Sequence, residues 1–329
     1  MNLATSRNGR LAAQGYYPKV AIDSSGNITV LNGRSWVVEL LPHLGRQDLF
    51  DSWNLNSAWD NGVVPGPDGS STNREIAATY LQVLICPHDE TVFQQPGGLS
   101  YVVNCGIGDR NFTAFSRGDF SDRSDLGHAF QIEPFDWDGD GILPPNDPDD
   151  IAITREMGVF WPEFGFFSAS SDDTTETGDI SGSANFQDIH DGASNTILLT
   201  ENVNAGMAPG STFNSWANPQ LSNCGFLWPV KPAAVNPAIA GTGLQTIVDE
   251  SAGDPRINAM NDGQHDGQAP FPNSMHSGIV VVSWCSGSVT TLSEDIDPSV
   301  YVRLLTPGGI RPRDIPGFMP EAPVSETDF

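Results

Sequence analysis

Glycine and proline interrupt this chain so often that few long helices can be threaded through it. The 329 residues hold 34 glycines and 25 prolines, scattered without a fixed period. Glycine weakens a helix interior and proline breaks it, so the chain is restricted to short elements joined by turns. That favours a loop-rich α+β or mostly β fold over a repeat array. The hydrophobic fraction of 38%, with eight Trp and seventeen Phe, supplies apolar surface for a sizeable core and excludes global disorder.

Charge narrows the partners. Fifteen Lys and Arg stand against 41 Asp and Glu, a formal net charge of −26. Such a surface repels phosphate backbones and anionic lipid heads, so nucleic acid is excluded as a partner class. Solubility in a salty medium and capture of divalent cations are both compatible with it. There is no apolar run long enough for a transmembrane helix and no signal peptide at the polar start. The chain is therefore expected to have a trimmed or misassigned beginning if it is exported.

The four cysteines, Cys86, Cys105, Cys224 and Cys285, form no Cys-x-x-Cys pair, which argues against a zinc ribbon. Their even number in an acidic, lysine-poor chain suits an oxidising compartment with two disulfides, and Cys86 with Cys105 would close the shortest loop. Four buried thiols is the competing expectation.

Along the chain, 1–16 reads as a short helix ended before Pro18, and 20–31 as a hairpin turning at Ser24–Asn27. Residues 35–52 carry apolar residues at helical spacing, with Pro42 forcing a kink or break. A short helix is expected at 73–80. Strands are expected at 81–86, 99–105, 195–201 and 224–230, and a helical turn at 184–190. Residues 109–180, rich in Asp, Gly, Ser and aromatics, read as a long insertion. The clearest hairpin is 278–292, turning at Ser286-Gly287, with a first arm apolar enough to lie inside a sheet. Asp297 and Pro298 then open a helix, and 310–329 reads as a loose tail.

Among residues that could carry chemistry, Asp136, Asp138 and Asp140 alternate along a loop that turns at Gly141. Ile142 offers a backbone carbonyl and Asp147 a closing carboxylate. Oxygen ligands at positions 1, 3, 5, 7 and 12 suit calcium before magnesium. The last acid is Asp rather than Glu, and Pro144-Pro145 interrupt any following helix, so a calcium loop without flanking helices is expected. His190, Asp191 and Ser194 do not read as a catalytic triad, since triads assemble from separated elements and no Gly-x-Ser-x-Gly stands here. They read instead as a helix end passing through Asp191-Gly192 into a strand, with Asn195 bonding loop backbone. The six histidines (43, 88, 128, 190, 265, 276) show no zinc-hydrolase spacing, and His276 reads as a turn-bonding side chain. Trp53, Trp59, Trp137, Trp161 and Trp216 fall in loop-like segments where a glycan could stack.

Four ordered blocks together carry a resemblance. Ser35 to Leu44, Leu84-Ile-Cys86-Pro87-His88-Asp89 with Leu99 to Asn104, His190 to Thr196 with Glu201-Asn202, and His276 to Gly287 with Leu292 to Asp297 span nearly the whole chain. They resemble a large planctomycete family described as a domain of unknown function (DUF1559), also filed as an extracellular solute-binding family. Its members usually carry a prepilin-type leader and a C-terminal H-x9-DG motif. The motif residues here are His276, Ser286 and Gly287, with Asp191, Gly192, Asn195 and Glu201 from the preceding block. Ser286 replaces the motif's Asp, and the leader and hydrophobic spine are missing from the sequence.

The resemblance implies a pilin-like α+β fold: residues 1–18 as the end of a spine helix, packed on an antiparallel sheet, within a single head over 19–309. It also implies an extracellular, cell-surface or periplasmic place. The expected function is a calcium-stabilised structural subunit partnered by other pilin-like subunits or cell-surface components. A solute- or glycan-binding protein is the alternative. A hydrolase built on Asp138 and Glu133 is the weakest reading, and no enzyme is expected.

Overall fold

The computed structural model describes residues 9–17, 19–22, 28–31, 33–108, 136–142, 147–161, 163–164, 184–205, 215–230, 248–249, 253–260, 269–309 and 324. Ten strands run through it: β1 (Gly15–Tyr17), β2 (Lys19–Ile22), β3 (Ile28–Leu31), β4 (Arg34–Ser35), β5 (Tyr101–Gly108), β6 (Glu163–Phe164), β7 (Ile197–Glu201), β8 (Gly225–Pro229), β9 (Ile279–Trp284) and β10 (Val289–Ser293). The fold is mixed α and β. Its centre is a five-stranded sheet in the order β10-β9-β7-β5-β8.

This sheet is mixed, not antiparallel as expected. β8 runs parallel to β5, while every other pairing in the sheet is antiparallel. The reason lies in burial: β8 is buried at all five positions and β5 at seven of eight, the two-sided burial typical of parallel strands. β9 alternates buried and half-buried residues and sits between β10 and β7, inside the sheet as its composition predicts. β10 closes the edge with one buried residue, Leu292, and a row of Thr and Ser on the exposed side. The hairpin turn falls at Ser286-Gly287, with Gly287 at φ 86°.

No helix occupies 9–17, contrary to the helix expected over 1–16. Residues 15–17 are β1, paired antiparallel with β4 and parallel with β6, whose residues lie far away in sequence. Tertiary pairing overrides the local preference here. The helix over 35–52 is observed in the expected broken form. Ser35 caps Trp36–Leu40, Pro42 stands in a 3-10 turn over Leu41–Leu44, and Gln47–Ser52 resumes the helix. The strand expected at 81–86 is instead a 3-10 turn over Gln82–Leu84. Leu81, Leu84 and Ile85 are buried and Val83 is exposed, a turn-like spacing rather than alternation.

The expected insertion over 109–180 contains a helix that composition hid, Pro148–Glu156. Asp147 caps it by accepting from the backbone of Asp149 and Asp150, and Pro148 takes the first position. Its C-terminal end packs straight onto β5. A Cβ on Gly106 would stand 1.8 Å from the Met157 carbonyl oxygen, and one on Gly158 would stand 2.7 Å from that of Cys105. Only glycine permits this approach, and Gly106 also holds φ +75° at a bulge in the β5–β8 register. The final helix, Pro298–Arg303, begins at Asp297 as expected and buries Val300, Tyr301 and Val302. The Asn104 amide joins two of these layers, donating to the carbonyls of Ile197 and Leu305 at 2.8 Å each.

Candidate functional site

The aspartate loop folds on itself before it meets anything else. Asp136 accepts from the backbone of Gly139 and Gly141, Asp138 from Asp140, and Asp140 from Ile142. Gly139 and Gly141 adopt φ 76° and 83°, which lets successive carboxylates turn to one side. Trp137 anchors the loop from beneath. Fully buried, it donates its backbone N–H to Asp150 at 2.7 Å and its indole N–H to Thr154 at 2.9 Å.

The sequence reading missed Asp150, which the helix after the loop carries back to it. Oxygens of Asp136, Asp138 and Asp150 lie within 4.8 Å of one another, and so do oxygens of Asp138, Asp140 and Asp147. Asp138 belongs to both groups. The expected carbonyl ligand, Ile142, is on the exposed rim. A helix does follow the loop, contrary to expectation: it starts at Pro148, with Asp147 as its cap. Asp147 and Asp150 are buried, and one oxygen of each has no hydrogen-bond partner among the described residues. Burial, then the charges of Asp147, Asp138 and Asp136, pushes Asp150 up to about 7, against the pull of the Trp137 N–H. Asp138 is raised as well, by burial first and by its acidic neighbours after that.

A second cluster forms where three sequence blocks meet. His276 stands at the start of the hairpin, and its Nε2 lies 3.3 Å from Glu201 Oε1 at the end of β7. The same nitrogen lies 3.6 Å from Cys86 Sγ. His88 packs edge-on to His276, with ring centroids 4.7 Å apart. Glu201 is only 2% exposed, and its other oxygen accepts from the Val281 backbone at 2.9 Å. Burial, with Glu201 close by, pushes the Cys86 thiol up to about 11, against the pull of the His88 and Asp89 backbone. Burial, then the Cys86 and Glu201 charges, likewise raises Tyr101. His276 does bond its turn through its backbone N–H to Ser274, but its ring serves this cluster. In sequence its neighbours are serines; the acid arrives from another strand.

The remaining motif residues hold the frame. Asp191 accepts from Gly309 N at 2.9 Å and from the Thr306 hydroxyl at 3.2 Å. Gly192 takes φ 100°, and the Asn195 amide donates to the Asp191 carbonyl as expected. His190 pairs with Glu156 at 3.5 Å. Ser286 donates its backbone N–H to Ala193 and Cys285 to Thr196, so the hairpin turn is fastened to the 190–196 block. Ser286 Oγ bonds Ser288 Oγ at 2.8 Å, a local contact that keeps the turn closed without an acid.

The Cys86–Cys105 pairing is not formed. All four cysteines are free and buried; Cys86 faces His276, whereas the Cys105 sulfur lies against Gly225, next to Cys224 in the chain. The stacking residues turn inward: Trp53, Trp137, Trp161 and Trp216 are buried and Trp59 is half-buried. Glu133, the hydrolase partner considered for Asp138, lies outside the described residues. No helix of the described residues is long and apolar enough to cross a membrane.

No curated protein and no solved structure matches the chain. Residues 11–299 match the model of a family described as a protein of unknown function (DUF1559). That span contains the aspartate loop and every residue of the second cluster. The chain belongs to the DUF1559 family.

Proposed function

We propose that this chain is the extracytoplasmic, non-catalytic head of a pilin-like structural subunit, with its 136–150 loop fastened by a calcium ion. The observation that carries the calcium reading is the pair of buried, unpartnered oxygens on Asp147 and Asp150 within an otherwise self-bonded acidic loop. Each pair of like charges at about 5 Å costs roughly 3 kcal/mol at an effective dielectric of 20, less where water screens it. A divalent ion removes that cost. Opposite oxygens of a calcium shell with 2.3–2.6 Å bonds stand about 5 Å apart, and the oxygens of each group here lie within 4.8 Å of one another, which supports the reading. Asp138 would sit at the centre of the ligand set, with Asp136, Asp140, Asp147 and Asp150 around it.

A structural role is further supported by the inward-turned tryptophans, which leave little tryptophan surface for a solute or glycan to stack on. Other pilin-like subunits or cell-surface components are the partners this role requires. Chelator should lower the melting temperature, and Asp138→Ala should abolish the difference between calcium and chelator. An unchanged melting curve in chelator overturns the calcium reading. Fractionation of native cells tests the rest: recovery of the protein in the cytosol overturns the extracytoplasmic head.

A further inference from the structure

The cluster around His276 has the geometry of a different kind of metal centre. Zinc holds thiolate sulfur at about 2.3 Å and nitrogen or oxygen at about 2.0–2.1 Å, in a tetrahedron. Those bonds place sulfur about 3.6 Å from nitrogen and oxygen about 3.3 Å from nitrogen. The observed edges are 3.6 Å from Cys86 Sγ to His276 Nε2 and 3.3 Å from Glu201 Oε1 to the same nitrogen. A single ring nitrogen carries at most one proton and cannot donate well to both. A sulfur and a carboxylate oxygen at these distances from one ring nitrogen suit a cation better than a shared hydrogen bond. Ligand atoms of Cys86, His88 and His276 also fall within 4.8 Å of one another, so an exposed imidazole closes the set from the solvent side.

We propose that Cys86, His88, Glu201 and His276 form a site for zinc or a similar borderline-soft divalent ion. The choice of metal follows from the donors: one thiolate and two imidazoles disfavour calcium and magnesium, which take oxygen alone. The surroundings have the features of an outer shell. The Glu201 oxygen turned away from His276 accepts from the Val281 N–H, which orients the carboxylate. On binding, the Cys86 S–H bond breaks, its proton leaves to solvent and the sulfur electron pair goes to the metal. No electron transfer is involved. The ion would tie together three segments that start at 86, 201 and 276, acting as a clasp between the loop after the 82–84 turn, the end of β7 and the entry to β9.

The test uses the full chain stripped of metal and titrated with cobalt(II), which reports thiolate ligation by a sulfur-to-metal charge-transfer band. One equivalent should bind with that band, and zinc should displace it. Cys86→Ser should remove the band, and His88→Ala, at an exposed position that does not threaten folding, should weaken cobalt binding at least tenfold. Asp138→Asn should leave the cobalt spectrum intact, which separates this site from the aspartate loop. Absence of stoichiometric cobalt uptake by the wild-type chain, or a band that survives Cys86→Ser, overturns the proposal.

Discussion

The backbone N–H of Trp137 donates to Asp150 at 2.7 Å, so the fully buried indole of the aspartate loop is hung on a carboxylate from the helix that follows it. One oxygen of Asp150 thus orients the loop, and the other has no partner among the described residues.

That division of labour gives the first prediction. Asp150→Asn keeps an acceptor for Trp137 and removes a buried charge from beside Asp136, Asp138 and Asp147. In chelator the variant should melt a few degrees above the wild type, since about 1 kcal/mol moves Tm by roughly 2–4 °C in a large domain. In calcium the order should reverse, because the variant has lost a charged ligand. Thermal melts in both buffers read the crossover; parallel curves for the two proteins would rule out a metal role for Asp150.

The close approach of β5 to the end of the 148–156 helix gives the second. Gly106→Ala should destabilise the fold by about 3 kcal/mol or more, since its methyl would overlap the Met157 carbonyl. Gly45→Ala is the control. It has a similar φ of +73° but nothing within 4 Å of the added carbon, so it should cost only about 1–2 kcal/mol. Urea denaturation of both variants separates collision from backbone strain. Equal losses would show that the approach is looser than described.

The third concerns the thiols. Burial drives Cys224 and Cys285 up to about 12 and Cys105 well above its ordinary value, so none is a thiolate at neutral pH. The native, metal-free chain should react slowly with a disulfide reagent at all four cysteines, and the denatured chain should release four equivalents at once. Intact mass without reductant should equal that of the fully reduced chain. A mass short by hydrogens would restore a disulfide.

Local signals were legible wherever the chain needs only its own neighbours. The break at Pro42, the Gly287 turn, the Asp297–Pro298 helix start and the alternating aspartates all follow from single-residue conformational limits and short spacing. The helix at 148–156 was not legible, because its few apolar positions give no clear stripe and its cap lies in an acidic run. The strand at 15–17 was misread for a similar reason: its partners are supplied by residues 34–35 and 163–164.

The sequence by itself determined an acidic, turn-rich chain with a hairpin near its end, a carboxylate loop and the family to which it belongs. Only the tertiary structure decided that Cys86 stands with His276 rather than with Cys105, and that Glu201 reaches the same nitrogen. Spacing along the chain constrains side chains within a few residues of each other. Pairing of β7 with β9 sets contacts across 75 residues or more, and burial then fixes which atoms must find partners there.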